Sequence, residues 1–326
     1  MSDIYLSIVL NHASSFGRIK KTIRHIARQT ALHDLELILV SNASNASDLD
    51  ISELNQIPNW KQVVLPKVPY GAIGWAAGIN ASAGQAVVLA EDHSFPEPHW
   101  AEVLIQRQKQ GFHIVAPRVL NGNPGTLVSW ANFQLTFIEF YLPQASGEAE
   151  RGPGHNSSYD KKALLSMDGD LATWLVSEWV LHEAMKARGY RIFLDVDIAT
   201  HHVNLSKLGA LFRHSFYGGR IIGSERSKSW PLPRRLFQAA AFPLVPLLRT
   251  YRLLKWLNRK EARSEVRFLE AFPFTLAALV CHAAGEAAGY LFGEGQVMAI
   301  YQAFEISRID YVIDQELNLL LEDFVA

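Results

Sequence analysis

Three stretches of the chain carry residue types that could do chemistry together. In AVVLAEDHSFPEPHW, residues 86–100, the triplet Glu91-Asp92-His93 directly follows five small or apolar residues that read as a buried central strand. A single acid there would serve as a cap or turn residue, but two carboxylates and an imidazole form a donor set for a divalent cation or a polar ligand. In IATHHVN, His201 and His202 end a second strand-like run. GHNSSY, residues 154–159, is a polar loop holding His155 and Asn156.

Such groups need a frame that brings strand ends together. The first ~120 residues alternate between two apolar periodicities. IYLSIVL, LELILV, WKQVVLP and AVVLA read as strands, and RIKKTIRHIARQT places Ile19, Ile23, Ile26 and Ala27 on one helical face. GAIGWAAGINASAG is small and helix-compatible, a helix is expected from about His99 to Gln110, and HIVAP follows as a strand. Near-continuous apolar strands between helices imply an α/β fold with a mostly parallel sheet covered on both faces. Ligands of such sheets bind beyond the carboxyl ends of the strands. That rule singles out Asn11 in NHASS, Ser41 and Asn42 in SNASN, and the Glu91–His93 triplet. From Asn121 to Asp168 the sequence reads as loop-rich, and one helix is expected from about Ala172 to Arg188 with Leu175, Trp179, His182 and Met185 on one face. Trp130, Asn132 and Trp179 are of types that stack on or hydrogen-bond a sugar, although tryptophan is more often core.

The 326 residues are 49% apolar and 19% charged, enough for a substantial core. The lone cysteine, Cys281, excludes an intrachain disulfide and fits a reducing compartment. The first apolar run is too short for a secretory signal, so the N-terminal part is expected to stay in the cytoplasm. Net charge is −1, yet residues 205–263 hold thirteen Lys and Arg against Glu225 and Glu261, giving +11 there and −12 elsewhere. Basic residues interleaved with LFQAAAFPLVPLL and YRLLKWL point to a membrane surface, and nucleic acid is the less fitting partner because the blocks are too long and aliphatic for a phosphate-tracking groove. FPFTLAALVCHAAGEAAGYLF, residues 272–292, is long enough to cross a bilayer but contains His282 and Glu286. Helices lying in the interface, or a hairpin dipping into it, fit better than a full span, and an ordinary buried helical subdomain is the plain alternative. The expected division is an α/β domain over 1–205 and a basic, apolar helical region over 206–326.

The order of these motifs resembles family 2 glycosyltransferases, which have the GT-A fold, over about residues 4–205. LSIVLNHASSFGRIKKTIRHIARQTALHDLELILVSNAS parallels that family's first strand, helix and second strand, and GWAAGINASAGQAVVLAEDHS parallels the segment leading into its Asp-x-Asp metal motif. The resemblance, aligned on Gly78 and Gly84, implies Glu91 and His93 at the two Asp positions, with His202, or else His201, completing a Mn or Mg site and Asp92 as a substitute ligand. The resemblance also implies Glu178 as the general base, since counting back from Gly189 in MKARGYRIFLD puts Ser177 and Glu178 at that family's acidic pair. It further implies that Asn11, Ser41, Asn42, Gly78, Asp92, His155 and Asn156 hold the donor. A carboxylate that deprotonates an acceptor hydroxyl, opposite a departing diphosphate, inverts the anomeric centre.

The chain departs from the pattern at several points. The second strand ends in Ser41-Asn42-Ala43-Ser44 without an acid, Ala76 replaces a common Asn, His93 replaces an Asp, and Ser177 replaces the first acid of a pair. The leading expectation is a metal-dependent inverting glycosyltransferase on the cytoplasmic side of a membrane, moving a sugar from a nucleotide-sugar donor to a cell-envelope lipid or polysaccharide. The alternative is a non-catalytic relative that binds or scaffolds at the membrane. A nucleotidyltransferase is a weaker third reading, because NHASSFGR is a poor phosphate loop.

Overall fold

The computed structural model describes residues 4–67, 71–141 and 145–321. Its elements in order are β1 Leu6–His12, α1 Phe16–Ala27, β2 Leu35–Asn42, α2 Ile51–Leu54, β3 Trp60–Leu65, α3 Gly71–Ala81, β4 Ala86–Ala90 and β5 Ser94–Pro96. There follow α4 Trp100–Lys109, β6 Ile114–Asn121, α5 Leu127–Thr136, α6 Ile138–Tyr141, β7 Gly147–Glu148, β8 Ser158–Asp160 and α7 Lys161–Leu165. The rest are α8 Leu171–Leu175, α9 Glu178–Ala187, β9 Ile192–His202, α10 Leu208–Ser227, α11 Leu232–Ala240, α12 Leu244–Trp256, α13 Lys260–Glu265, α14 Phe268–Phe292, α15 Val297–Ile306 and α16 Asp314–Leu321. The chain divides into two compact units, one of residues 1–122 and 143–202, the other of 123–142 and 203–326. Segment 123–142 belongs to the second of these units.

The first unit is an α/β structure on one sheet, ordered β3-β2-β1-β4-β8-β6-β9-β5, with β7 paired to β9. Strands β3, β2, β1 and β4 run parallel, as do β6 and β9. Antiparallel pairs then join β4 to β8, β8 to β6, and β9 to β5 and β7. The parallel half matches the expectation, and the antiparallel joins come from strands of two or three residues that carry too few positions to show a period. Side chains alternate between two cores. Ile8 and Leu10 pack with Ile19, Ile23 and Ile26 of α1, while Val9, Val87 and Leu89 pack with Ala76 and Ile79 of α3.

Two expectations are corrected. The stretch 121–168 is not all loop, since α5 and α6 lie within it. Residues Ser129 to Gln134 are all buried, so α5 has no polar face to announce it as a helix. The helix expected over 172–188 is broken into α8 and α9 at Val176–Ser177, because the Ser177 side chain accepts from Val180 N and caps a new start. The restart rotates Trp179 outward, to 57% exposure, while Leu175, Leu181, His182 and Met185 stay buried.

The second unit is helical among its described residues. In it, α10 and α14 approach backbone to backbone: a Cβ on Gly219 or Gly223 would overlap carbonyls of His282 or Glu286, and one on Gly285 or Gly289 would overlap those of Phe216 or Arg220. Helix α14 is long and apolar enough to cross a membrane by length and composition. Its Glu286 is nevertheless buried and ion-paired, with Arg249 and with Arg226 Nη1 at 3.2 Å; His282 Nδ1 lies 3.2 Å away, and the carboxylate accepts from Tyr290 Oη at 3.1 Å. Burial alone would raise this carboxyl, but the His282 hydrogen bond and the charges of Arg249 and Arg226 outweigh it and hold it at about 2. Trp130 and Asn132 belong here rather than to a sugar site. Trp130 Nε1 donates to the Pro124 carbonyl at 3.0 Å, and Asn132 Oδ1 accepts from Leu205 N at 3.0 Å.

In the first unit, buried His182 bonds through Nε2 to the Tyr159 hydroxyl at 3.0 Å, and burial pushes its imidazole down to about 4. Between pH 6.5 and 4 the unfolded chain takes up a proton that the folded chain refuses, so stability is complete above 6.5 and falls as pH drops. The expected loss is up to roughly 3 kcal/mol, at about 1.36 kcal/mol per pH unit. Urea unfolding across that range checks it, and His182→Gln should flatten this part of the profile.

Candidate active site

Sheet register assembles the site at the carboxyl end of β4. Glu91, Asp92 and His93 follow Ala90, where the Trp75 indole holds the Ala90 carbonyl at 3.2 Å and Thr22 Oγ1 donates to the Asp92 carbonyl at 3.1 Å. Strand β5 then pairs with β9, placing Ser94 opposite His202 and Phe95 opposite His201. Because β9 alternates faces, only one of the two histidines turns inward. His202 is buried, whereas His201 is half-exposed with Nε2 3.5 Å from Glu97. The third approach comes from β8, which pairs Ser158 with Val88 and carries the chain past the end of β4. Asn156 N donates to the Leu89 carbonyl at 2.8 Å, and Trp100 Nε1 donates to the Asn156 carbonyl at 3.0 Å. Asn156 has a positive φ of 55°, a conformation that asparagine tolerates better than most residues, and this kink sets His155 over Glu91.

The result is a carboxylate ringed by imidazoles. Glu91 Oε2 lies 3.5 Å from His93 Nε2, 3.5 Å from His202 Nε2 and 3.9 Å from His155 Nδ1. The same His155 Nδ1 lies 3.8 Å from Glu178 Oε1, so the residue far along the chain does meet the strand-end triplet. Glu178 is the first residue of α9, where the unsatisfied N–H groups of the helix start favour a carboxylate, and its side chain is 37% exposed. Asp92 does not face the cluster as a ligand. Its Oδ1 lies 2.6 Å from His93 Nδ1 and orients that ring, the arrangement usually found behind a metal-binding imidazole.

One donor atom each from Glu91, His155 and His202 lies within 4.8 Å of the others. Glu91 Oε2 and His93 Nε2 are buried without a hydrogen-bond partner among the described residues. A buried carboxylate oxygen with no donor is costly unless a cation occupies its lone pairs. The donor set therefore fits a divalent ion, and its nitrogen content suits a transition metal better than Mg, which demands an oxygen shell. The sequence expectation named Glu91, His93 and His202. The structure brings all three together and adds His155, assigned beforehand only to donor binding.

Several residues expected to hold a donor have internal duties. Gly78 is a packing residue, since a Cβ there would overlap Val9 and crowd Val40, so its smallness seats α3 on the sheet. Ser41 Oγ accepts from Gln62 Nε2 at 3.0 Å and lies 3.2 Å from His12 Nδ1. Asn42 Oδ1 is taken up by the turn it starts, accepting from Ser44 N at 2.7 Å and Asn45 N at 3.2 Å. Asn11 Nδ2 donates to the Gly71 carbonyl at 3.1 Å, leaving its buried Oδ1 without a partner among the described residues. Gly154 went unnoticed in the sequence. A Cβ on it would overlap Cβ, Cγ and Cδ of Glu178, so the glycine is what lets that carboxylate reach His155.

Residues 8–166 match the model for glycosyl transferase family 2, which shows the resemblance over that stretch; Glu178 and His202 lie beyond it. Among solved structures, S. aureus TarS is similar at 14% identity and a TM-score of 0.47, covering 68% of this chain and 39% of that one. S. aureus TarS 1-349 in complex with UDP-GlcNAc is similar at 16% identity and a TM-score of 0.43, covering 61% of this chain and 58% of that one. This chain thus spans less than two thirds of the length of either. No curated protein matches the chain.

Gly154→Ala is expected to fold at a cost of about 1–3 kcal/mol and to swing Glu178 away from His155. A crystal structure of the variant checks it, the expected outcome being a lengthened His155–Glu178 separation.

Proposed function

We infer, from a chain whose residues 8–166 are similar to family 2 glycosyltransferases, that this protein transfers a sugar from a nucleotide-sugar donor to an acceptor hydroxyl with inversion. The observation that carries this reading is the meeting of Glu178 with the Glu91–imidazole cluster through His155. Glu178 is the base. Its carboxylate takes the acceptor hydroxyl proton as that oxygen attacks the anomeric carbon, and the bond from that carbon to the diphosphate oxygen breaks on the opposite face. A bound transition-metal ion, held by Glu91, His155 and His202 with His93 at hand, would neutralise the departing diphosphate.

The remaining residues position these groups. Asp92 keeps the His93 ring turned so that Nε2, not Nδ1, faces the cluster. Trp179, exposed beside Glu178, offers an aromatic face to a sugar ring. Glu178, 37% exposed, is open to an acceptor, whereas the Glu91 side chain is 18% exposed with its Oε2 turned inward. The acceptor is a saccharide or a lipid-linked sugar of the cell envelope. The loss of the acid before Glu178 does not argue for an inactive relative, because Ser177 instead starts the helix that presents the base.

Glu178→Gln is expected to lower transfer by roughly 10²–10⁴-fold while donor affinity stays unchanged. Calorimetry with Mn, Zn and Mg, with and without a panel of nucleotide sugars, should show transition-metal binding that Asp92→Asn weakens by roughly 10–100-fold. If no ion binds under any condition, or if Glu178→Gln turns over at the wild-type rate, sugar transfer by this site is ruled out.

A further inference from the structure

The second unit turns an apolar helix stripe outward. On α12, Leu244, Leu247, Leu248 and Tyr251 follow the i, i+3, i+4, i+7 spacing that ordinarily faces a core, yet they are 57%, 65%, 59% and 60% exposed. On the preceding helix, Leu236 and Phe237 are 51% and 70% exposed. Residues buried from these helices are few, among them Ala239, Pro246 and Leu253. A stripe of this kind costs free energy in water unless something apolar covers it.

Charge identifies the cover. From Arg226 to Lys260 the sequence has nine Lys and Arg and no Asp or Glu. Arg234, Arg252, Lys255, Arg259 and Lys260 are exposed among the apolar side chains. Lys255 sits over the Tyr251 ring, 5.4 Å from its centroid, and Arg234 over the Trp230 ring at 4.2 Å. An apolar stripe flanked by cations and by aromatic residues at its edge is complementary to a bilayer whose headgroups are anionic, with acyl chains below the phosphates. Helix α14, although the longest apolar segment, packs on α10 through its glycines, holds an ionised Glu286 between arginines, and exposes Leu269, Val280, Leu291 and Phe292 without a basic stripe beside them, so the apolar stripe interleaved with cations is that of α11 and α12.

We propose that α11 and α12 form a monotopic docking surface for anionic phospholipid membranes, with Leu244, Leu247, Leu248 and Phe237 entering the headgroup–acyl boundary and the basic residues engaging phosphates. This assignment is independent of the sugar-transfer reading, because no residue of the Glu91 site takes part. The test is co-sedimentation of the full chain with vesicles of phosphatidylcholine alone and of phosphatidylcholine with phosphatidylglycerol. Wild type should bind the anionic vesicles at least roughly tenfold more tightly, with binding weakened by added salt. Leu247→Glu/Leu248→Glu should fold normally by circular dichroism, both sites being exposed, and should lose roughly tenfold or more of vesicle affinity. The proposal is overturned if wild type stays in the supernatant with both vesicle types, or if the double variant binds as wild type does. It is equally overturned if the double substitution converts an oligomer into a monomer without changing vesicle binding, which would make this face a contact between copies of the chain.

Discussion

A carboxylate taken out of water at the end of a central strand is the constraint on which the first unit's site depends. Glu91 has three imidazole nitrogens within 3.9 Å of one oxygen, and no described side chain donates a hydrogen bond to that oxygen. Such an arrangement persists only if the surrounding chain is held firmly enough to keep those groups from finding other partners. The holding is visible. Trp75 and Thr22 fasten the backbone on either side of Glu91, Trp100 fastens Asn156, and the pairing of β5 with β9 leaves His202 no freedom to turn outward.

The same constraint explains why small residues matter more than reactive ones at some positions. Gly154 removes the atom that would otherwise occupy the space of the Glu178 side chain, and Gly78 lets α3 lie directly on Val9 and Val40. Behind them, Tyr159 and His182 lock β8 to α9 in a dry environment that keeps the imidazole neutral. These residues act through packing and an internal hydrogen bond. They determine where the ligand-facing groups stand, to a tolerance smaller than one carbon atom.

The second unit resolves a different conflict. An apolar 25-residue helix with a buried glutamate would be poorly placed in either water or lipid by itself. Arg226 and Arg249 reach Glu286 from neighbouring helices, and the glycine faces of α10 and α14 let the backbones approach closely enough for that exchange. With the charge in α14 thus satisfied internally, a regular apolar stripe is left on the outside of α11 and α12. These two helices carry five Lys and Arg and no acid.

Much of this was legible in the order of residues. The periods of IYLSIVL, LELILV and AVVLA identify strands buried on both faces, and an α/β sheet then dictates that Glu91, Asp92 and His93 lie where ligands bind. The basic, acid-free character of 226–260 is likewise a property of composition alone. Three things were not legible, each for a physical reason. Helix α5 buries Ser129 to Gln134 in an unbroken run, polar and apolar alike, so no contrast between a wet and a dry face marks it. The break before α9 depends on one serine hydroxyl capping the chain rather than facing solvent. The role of His155 exists only after β8 is registered against β4, because it and Glu91, 64 positions apart, become neighbours through backbone pairing and not through any local pattern. Sequence by itself determined which groups were available and at which end of the sheet they would emerge. Tertiary structure alone decided which of them share a cluster, since side-chain convergence over a few ångströms is set by register and packing, to which local periodicity is blind.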